Sequence, residues 1–367
     1  MSGTIRHRPR RRIADRHVAW VFLTPFLIVY VAFLVYPFFK GLWISLHHWN
    51  LLAVAMNPDA AKWVGLRNYT HLMWGRGIVW GPLSHPLVQL FALAVAVGAG
   101  LLHRAGRTNR SFMITLIVAG ALVFFLLGFT PGEGGRWFDR RFWPTVGNTI
   151  LFVALAAPGT TIAALLLAAA LNRETKMMAV FRSIFFLSQV LSVTVVTLIW
   201  QIMFSPTQGL IANVTRIFGG SPISWLTDER FAMIAIVITT IWWSLGIAMI
   251  LFLAGMQDIS AEIYEAAALD NARGWKAFWY ITLPNLKRTI TLVVVLQIIL
   301  HFQVFGQSHL MTQGGPDDRT QVLVRYIYQT AFRDSEIGRA AAMAMFLFVI
   351  MAVFSALQFF IAREGEE

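Results

Sequence analysis

Apolar runs alternate with short charged connections along most of the chain. A helix needs about 20 apolar residues to cross a bilayer core of about 30 Å. Eight runs approach that length, at 20–39, 87–102, 113–129, 149–171, 184–204, 231–253, 290–311 and 340–361. The 87–102 run is the shortest. The pattern predicts an all-α fold: a polytopic transmembrane helical bundle with a six-span core and an inserted hairpin. Arg6, Arg8, Arg10, Arg11, Arg12 and Arg16 precede the first run, and a basic turn at 103–110 separates the second and third. Cationic segments stay on the cytoplasmic side, so both termini are expected there. The first run is too long for a signal peptide and contains Pro25 and Pro37.

Composition supports this reading. Hydrophobic residues make up 57% of the 367 positions and charged residues only 13%, against roughly 25% charged in a soluble domain. A soluble enzyme or a disordered chain is thereby disfavoured. With no cysteine, disulfides, thiolate metal sites and cysteine nucleophiles are excluded. The net charge of +12 reads as the cytoplasmic excess of a membrane protein in contact with lipid, with no nucleic-acid partner. No Asp or Glu falls inside any run, whereas ion-coupled carriers usually keep an ionisable residue near the midplane. No Gly-Lys pair exists, so a phosphate-binding P-loop is absent. If the chain transports, its energy arrives from a partner.

The longest connection between core runs, near 257–287, is where such a partner would act. Ser260 is placed to cap a helix that carries Glu262 in its first turn. Ile263, Ala267 and Asp270 are expected on one side, with Ala266 keeping the surface shallow. Asn271 tolerates a left-handed stop, Gly274 allows a second break, and Trp275, Phe278, Trp279 and Thr282 follow helical spacing up to Pro284. Two short helices meeting at a bend are predicted.

Glu265-Ala266-Ala267, Asn271, and Ile281 with Leu283-Pro284 resemble the "EAA" loop of permease subunits in ABC importers. Asn271 stands where that pattern has Gly, and Arg288 where it has a proline. Trp63-Val64-Gly65-Leu66-Arg67-Asn68-Tyr69 resembles the "VGLxNY" element of carbohydrate importers. Met311-Thr312-Gln313-Gly314-Gly315-Pro316, with Thr320, Tyr326-Ile327-Tyr328 and Ala331-Phe332, resembles the "LTxGGPxxxT…YIYxxAF" stretch of the same group. Together these point to the maltose-type first permease of a binding-protein-dependent importer.

The resemblance implies a chain in the cytoplasmic (inner) membrane of a prokaryote that moves a sugar or oligosaccharide and is not itself an enzyme. Its partners would be a second homologous permease, two ATP-binding subunits and an extracytoplasmic solute-binding protein. This chain would carry no metal or cofactor, with ATP and Mg on the partner subunit. Glu265, Ala266, Ala267, Asp270, Asn271, Ile281, Leu283 and Pro284 would form the ATPase-coupling loop. By position, Thr240, Trp243, Ser244, Gln297 and His301 would line the substrate pathway, and Trp242, Gln303 and Gln307 lie nearby. Intramembrane Ser, Thr and Gln also serve simply to bond neighbouring helices. The expected division is 1–17 basic arm, 18–74 first span and outer segment, 75–141 inserted transmembrane hairpin, and 142–367 permease core. A glycerol-3-phosphate or polyol importer remains an alternative, as does a stand-alone secondary carrier.

Overall fold

The computed structural model describes residues 12–75, 78–81, 86–106, 128–131, 139–173 and 175–364, with scattered positions between 113 and 124. Helix α1 (Arg12–Tyr30) continues through a π turn at Val31–Val35 into α2 (Tyr36–Ser45). Pro37, which has no N–H to offer the helical ladder, follows closely on the π turn, so the irregular turn and the proline coincide. The most apolar stretch of this rod is buried nowhere within the chain. Its α2 half packs against the last helix.

The next segment is a clamp. Strand β1 (His47–His48) pairs antiparallel with β2 (Lys62–Trp63); α3 (Leu51–Met56) lies between the two strands and α4 (Arg67–Met73) follows β2. Buried Asn68 donates to the carbonyls of Ser45 at 2.7 Å and His47 at 2.8 Å. The Tyr69 and Ser45 hydroxyls meet at 2.6 Å. The Trp63–Tyr69 element therefore ties the end of α2 in place.

Strand β3 (Ile78–Trp80) and α5 (Pro86–Arg104) follow. Buried Gln89 donates to the Phe124 carbonyl at 3.1 Å. A Cβ on Gly120 would lie 2.7 Å from the Ala92 carbonyl, so backbone approaches backbone closely here. Eight of the seventeen residues of the expected 113–129 run lie outside the described residues. Its last residue, Phe129, is not helical: it opens β4 (Phe129–Pro131), which pairs with β3.

The core is built on α6 (Phe142–Leu171) and α10 (Ala232–Gln257), which share the most extensive contact in the chain. Ala156, Ala164 and Ala168 of α6, and Ala235 and Ala248 of α10, are fully buried. Small residues let membrane helices approach closely, where packing rather than hydrophobicity drives association. Between them come α7 (Lys176–Val190), α8 (Val193–Met203) and α9 (Leu210–Ile217). The 184–204 run is not one straight span, because α7 and α8 meet at 104°. Leu191 is extended, and the Ser192 side chain accepts from the Val195 N–H at 3.4 Å, starting a new helix.

After α10 come α11 (Ala261–Leu269), α12 (Trp275–Ala277), a π turn at Phe278–Thr282 and α13 (Leu283–Asn285). The chain then bends by 71° into α14 (Lys287–Phe302). The 290–311 run therefore ends nine residues early. The helix breaks at 303–305 and resumes at Gly306, which lies so close on Val193 at the start of α8 that a Cβ would collide with that side chain. A π turn at Ser308–Thr312, α15 (Leu323–Tyr328), another π turn at Gln329–Arg333 and α16 (Ile337–Glu364) complete the fold. Among the described residues four helices are long and apolar enough to cross a bilayer, or six if each bent pair counts as one span, and α5 falls short of that length.

Candidate transport pathway and coupling loop

The loop between α10 and α14 folds as two helical arms around a left-handed corner. Asn271 adopts φ 59° and Gly274 φ 58°. Asp270, Asn271 and Ala272 donate back to the carbonyls of Ala266, Ala268 and Ala267, which closes the α11 terminus. Ser260 occupies the N-cap position, but its side chain makes no capping bond. The arms are joined where the Tyr264 hydroxyl meets Thr282 Oγ1 at 2.9 Å. Trp275 stacks on buried Phe278 with centroids 5.1 Å apart.

The loop's candidate residues divide by burial. Glu265, Ala266, Asp270, Asn271 and Pro284 are exposed, Ile281 and Leu283 are half-buried, and Ala267 is buried. Ile263, Ala267 and Asp270 thus do not share one environment: Ala267 belongs to the loop's own core. Leu269, not singled out by the sequence, is 90% exposed beside them. A cavity of about 370 Å³ opens between the arms and the end of α6, lined by Leu166, Tyr264, Trp275 and Phe278 among others.

Four of the five pathway candidates converge. Thr240, Trp243, Ser244 and His301 line one cavity of about 290 Å³, with Gln303 and Gln307 in the same wall. It sits where the α7–α8 break, α10 and the end of α14 meet. Broken membrane helices expose backbone groups, and such breaks line binding cavities. Trp243 satisfies one of those groups, donating from Nε1 to the Leu191 carbonyl at 3.2 Å. Thr240 and Ser244 donate to carbonyls one turn back at 2.8 and 2.6 Å, which leaves their oxygens as acceptors. His301 Nδ1 donates to the Gln297 carbonyl at 2.5 Å, and Nε2 is buried with no partner among the described residues. Gln297 is buried one turn below and does not line the cavity, and its Oε1 is also unpartnered. Trp242 turns away to meet Trp200 edge-on at 5.8 Å.

Gln189, Val193, Leu300, Val304, Phe305 and Gly306 also line the cavity, and no sequence pattern singled them out. Gln189 is a polar residue just before the helix break, and Phe305 follows the end of α14. Among the described residues no group of three or more His, Asp or Glu is placed to hold a metal ion.

The opposite end of the bundle from the α10–α14 loop is locked by polar contacts. Asp139 accepts from the Tyr326 hydroxyl at 2.6 Å and from Arg339 at 3.0 Å. Burial, then the bond to Asp139, pushes the Tyr326 hydroxyl well above the ordinary tyrosine range. Asn148 donates to the carbonyls of Asp318 and Gln321, and Thr149 Oγ1 accepts from the Leu323 N–H at 2.9 Å. Thr320 bonds Gly315 and Thr312 at 2.6 Å each. Gly314 is left-handed, and any Cβ there would collide with Gln321 and Arg325. The 311–332 motif is the scaffold of this end.

Fold and site together define a polytopic helical transport subunit. The model for "Binding-protein-dependent transport system inner membrane component" matches residues 159–364, more than half of the chain. The chain belongs to this family; it is a multi-pass inner-membrane subunit and not an enzyme. It is 36% identical to the lactose transport system permease protein LacF of Rhizobium radiobacter, over 70% of this chain and 87% of that protein. It is 32% identical to the sn-glycerol-3-phosphate transport system permease protein UgpA of Agrobacterium fabrum, over 60% of this chain and 75% of that one. A crystal structure of a bacterial ABC transporter involved in the import of the acidic polysaccharide alginate shares the fold, with a TM-score of 0.68 at 18% identity over 96% of this chain and 97% of that chain.

Proposed function

We propose that this chain is the permease of an ATP-driven importer that moves a sugar or oligosaccharide across the inner membrane. The convergence of Thr240, Trp243, Ser244 and His301 on one polar, aromatic-walled cavity at the α7–α8 break carries this reading. An indole face offers a stacking surface for a sugar ring, and the histidine, hydroxyl and amide groups offer hydrogen-bond partners for its hydroxyls. Among the described residues no Lys or Arg lines the cavity, so a phosphate ester, the cargo in UgpA's name, would find no counter-charge from them there.

The subunit would pair with a second permease, two ATP-binding subunits and an extracytoplasmic solute-binding protein. Glu265, Ala266, Leu269 and Asp270 form the exposed face that would seat in a groove of the ATP-binding subunit. Ala267, Asn271, Ile281, Leu283 and Pro284 would hold that face in shape. Closure of the ATP-binding subunits would draw the two arms together, and the 71° bend into α14 would pass the motion to His301. ATP and Mg would be held on the partner.

The test is uptake in the native host with this gene deleted and restored, using radiolabelled lactose, maltose, raffinose and sn-glycerol-3-phosphate. Sugar uptake that is lost on deletion and abolished by ATP depletion supports the reading. Uptake of the phosphate ester alone, or uptake surviving ATP depletion, overturns it.

A further inference from the structure

The sequence motif around Tyr326, Tyr328 and Phe332 is only half explained by scaffolding. Tyr326 and Ala331 are buried, and the Tyr326 hydroxyl is bonded to Asp139. Tyr328 and Phe332, by contrast, are 38% and 63% exposed. They lie four residues apart on one helical face, with ring centroids 5.2 Å apart. Exposed aromatic rings are not needed to hold this end, since the polar network already does so.

The two rings extend a series that begins inside the cavity. Phe305 lines the cavity. It stacks on His309 with centroids 4.9 Å apart and planes 15° apart. Tyr328 stands 5.2 Å from each of them. The order is therefore Phe305, His309, Tyr328, Phe332, running from the cavity wall to the exposed end remote from the α10–α14 loop. Among the described residues, the buried Nδ1 of His309, a polar atom set among the rings, has no hydrogen-bond partner. A purely apolar packing cluster would not strand a polar atom there.

We infer that these four residues form a stacking track along which a saccharide passes between the exposed end and the cavity. The inference rests on the sugar reading of the cavity. A sugar ring has one or two faces made of C–H bonds, slightly positive, which rest on the negative face of an aromatic ring. Such contacts are non-directional about the ring normal, so a ladder of them lets a sugar slide without breaking specific hydrogen bonds. A second permease pressed on the same rings is the competing occupant; continuity of the ring series with the polar cavity favours the sugar.

The experiment uses the complete importer in its host, with radiolabelled lactose and raffinose. Removing one stacking partner should lower the maximal uptake rate by roughly threefold to tenfold in Tyr328→Ala and in Phe332→Ala. The loss should be larger for the trisaccharide, which spans more rungs. Ring-for-ring replacement, Tyr328→Phe or Phe332→Trp, should restore most of the lost rate. Co-purification of the second permease should be the same in all variants. Alanine variants with full uptake overturn the track, as does loss of the second permease from Phe332→Ala. Wild type that takes up neither sugar removes the sugar reading itself, a result distinct from unaffected alanine variants.

Discussion

The two ends of this bundle are built on opposite principles. The end formed by residues 303–336 is closed by bonds within the chain: Asp139 to Tyr326 and Arg339, Asn148 to the 318–321 backbone, and the Ser308, Thr312 and Thr320 hydroxyls to one another and to neighbouring carbonyls. The end formed by residues 258–286 holds its two arms with the single side-chain bond between Tyr264 and Thr282, and it leaves Leu269, Trp275 and Tyr280 largely exposed. A locked end keeps a cavity mouth in shape. An open end with large exposed apolar side chains is completed by something else.

Asp139→Ala should be the most damaging substitution at the locked end. It leaves the Tyr326 hydroxyl and the Arg339 guanidinium without their shared acceptor, and we expect a loss of about 2–3 kcal/mol. Thermal unfolding of the detergent-solubilised chain, followed by tryptophan fluorescence, measures it. An unchanged midpoint would mean the network does not carry stability. Gly314→Ala should follow at about 1–3 kcal/mol, from the left-handed backbone and the collision with Gln321 and Arg325.

The same end should carry an alkaline pH dependence. Tyr326 keeps its proton in the folded chain to higher pH than in the unfolded chain. Below about pH 10, the ordinary tyrosine value, both states are protonated and the stabilisation is complete. As pH rises beyond that, the unfolded state releases its proton first, and stability falls. Tyr326→Phe should remove this part of the decline, seen as a flatter plot of unfolding midpoint against pH.

At the open end, Glu265→Lys and Ala266→Trp should change stability by no more than about 0.5 kcal/mol, as exposed substitutions do. Their effect should fall on retention of the ATP-binding subunit. Ala267→Trp is a different perturbation, because that side chain is buried and the loop itself must deform.

Much of this contrast was legible in the sequence, and the reasons differ by region. The left-handed corner at Asn271 was readable because few residue types tolerate that backbone conformation. The long apolar spans were readable because length and hydropathy decide them, as in α10. The breaks were harder to read: the 184–204 run is apolar enough for a straight span yet folds as two helices at 104°, whereas Gln303, Gln307, Ser308 and His309 are a polar signal within the 290–311 run, where Gly306 lies against Val193. Burial within the loop was equally hidden. Ala266 and Ala267 are the same residue side by side, and only the packing of the second arm decides which faces inward. The Asp139–Tyr326–Arg339 contact joins residues nearly 200 positions apart, beyond any local pattern.

The central claim is that the open end is a seat for an ATP-binding subunit and the locked end is not. Its most direct measurement is co-purification with the chain tagged at its C-terminus in its native host, comparing wild type, Glu265→Lys and Gly314→Ala after gentle solubilisation. The account predicts that wild type brings down an ATP-binding subunit and a second permease, that Glu265→Lys loses the ATP-binding subunit but keeps the permease, and that folded Gly314→Ala keeps both. Recovery of the ATP-binding subunit undiminished with Glu265→Lys, or its absence from wild type in several detergents, would contradict it.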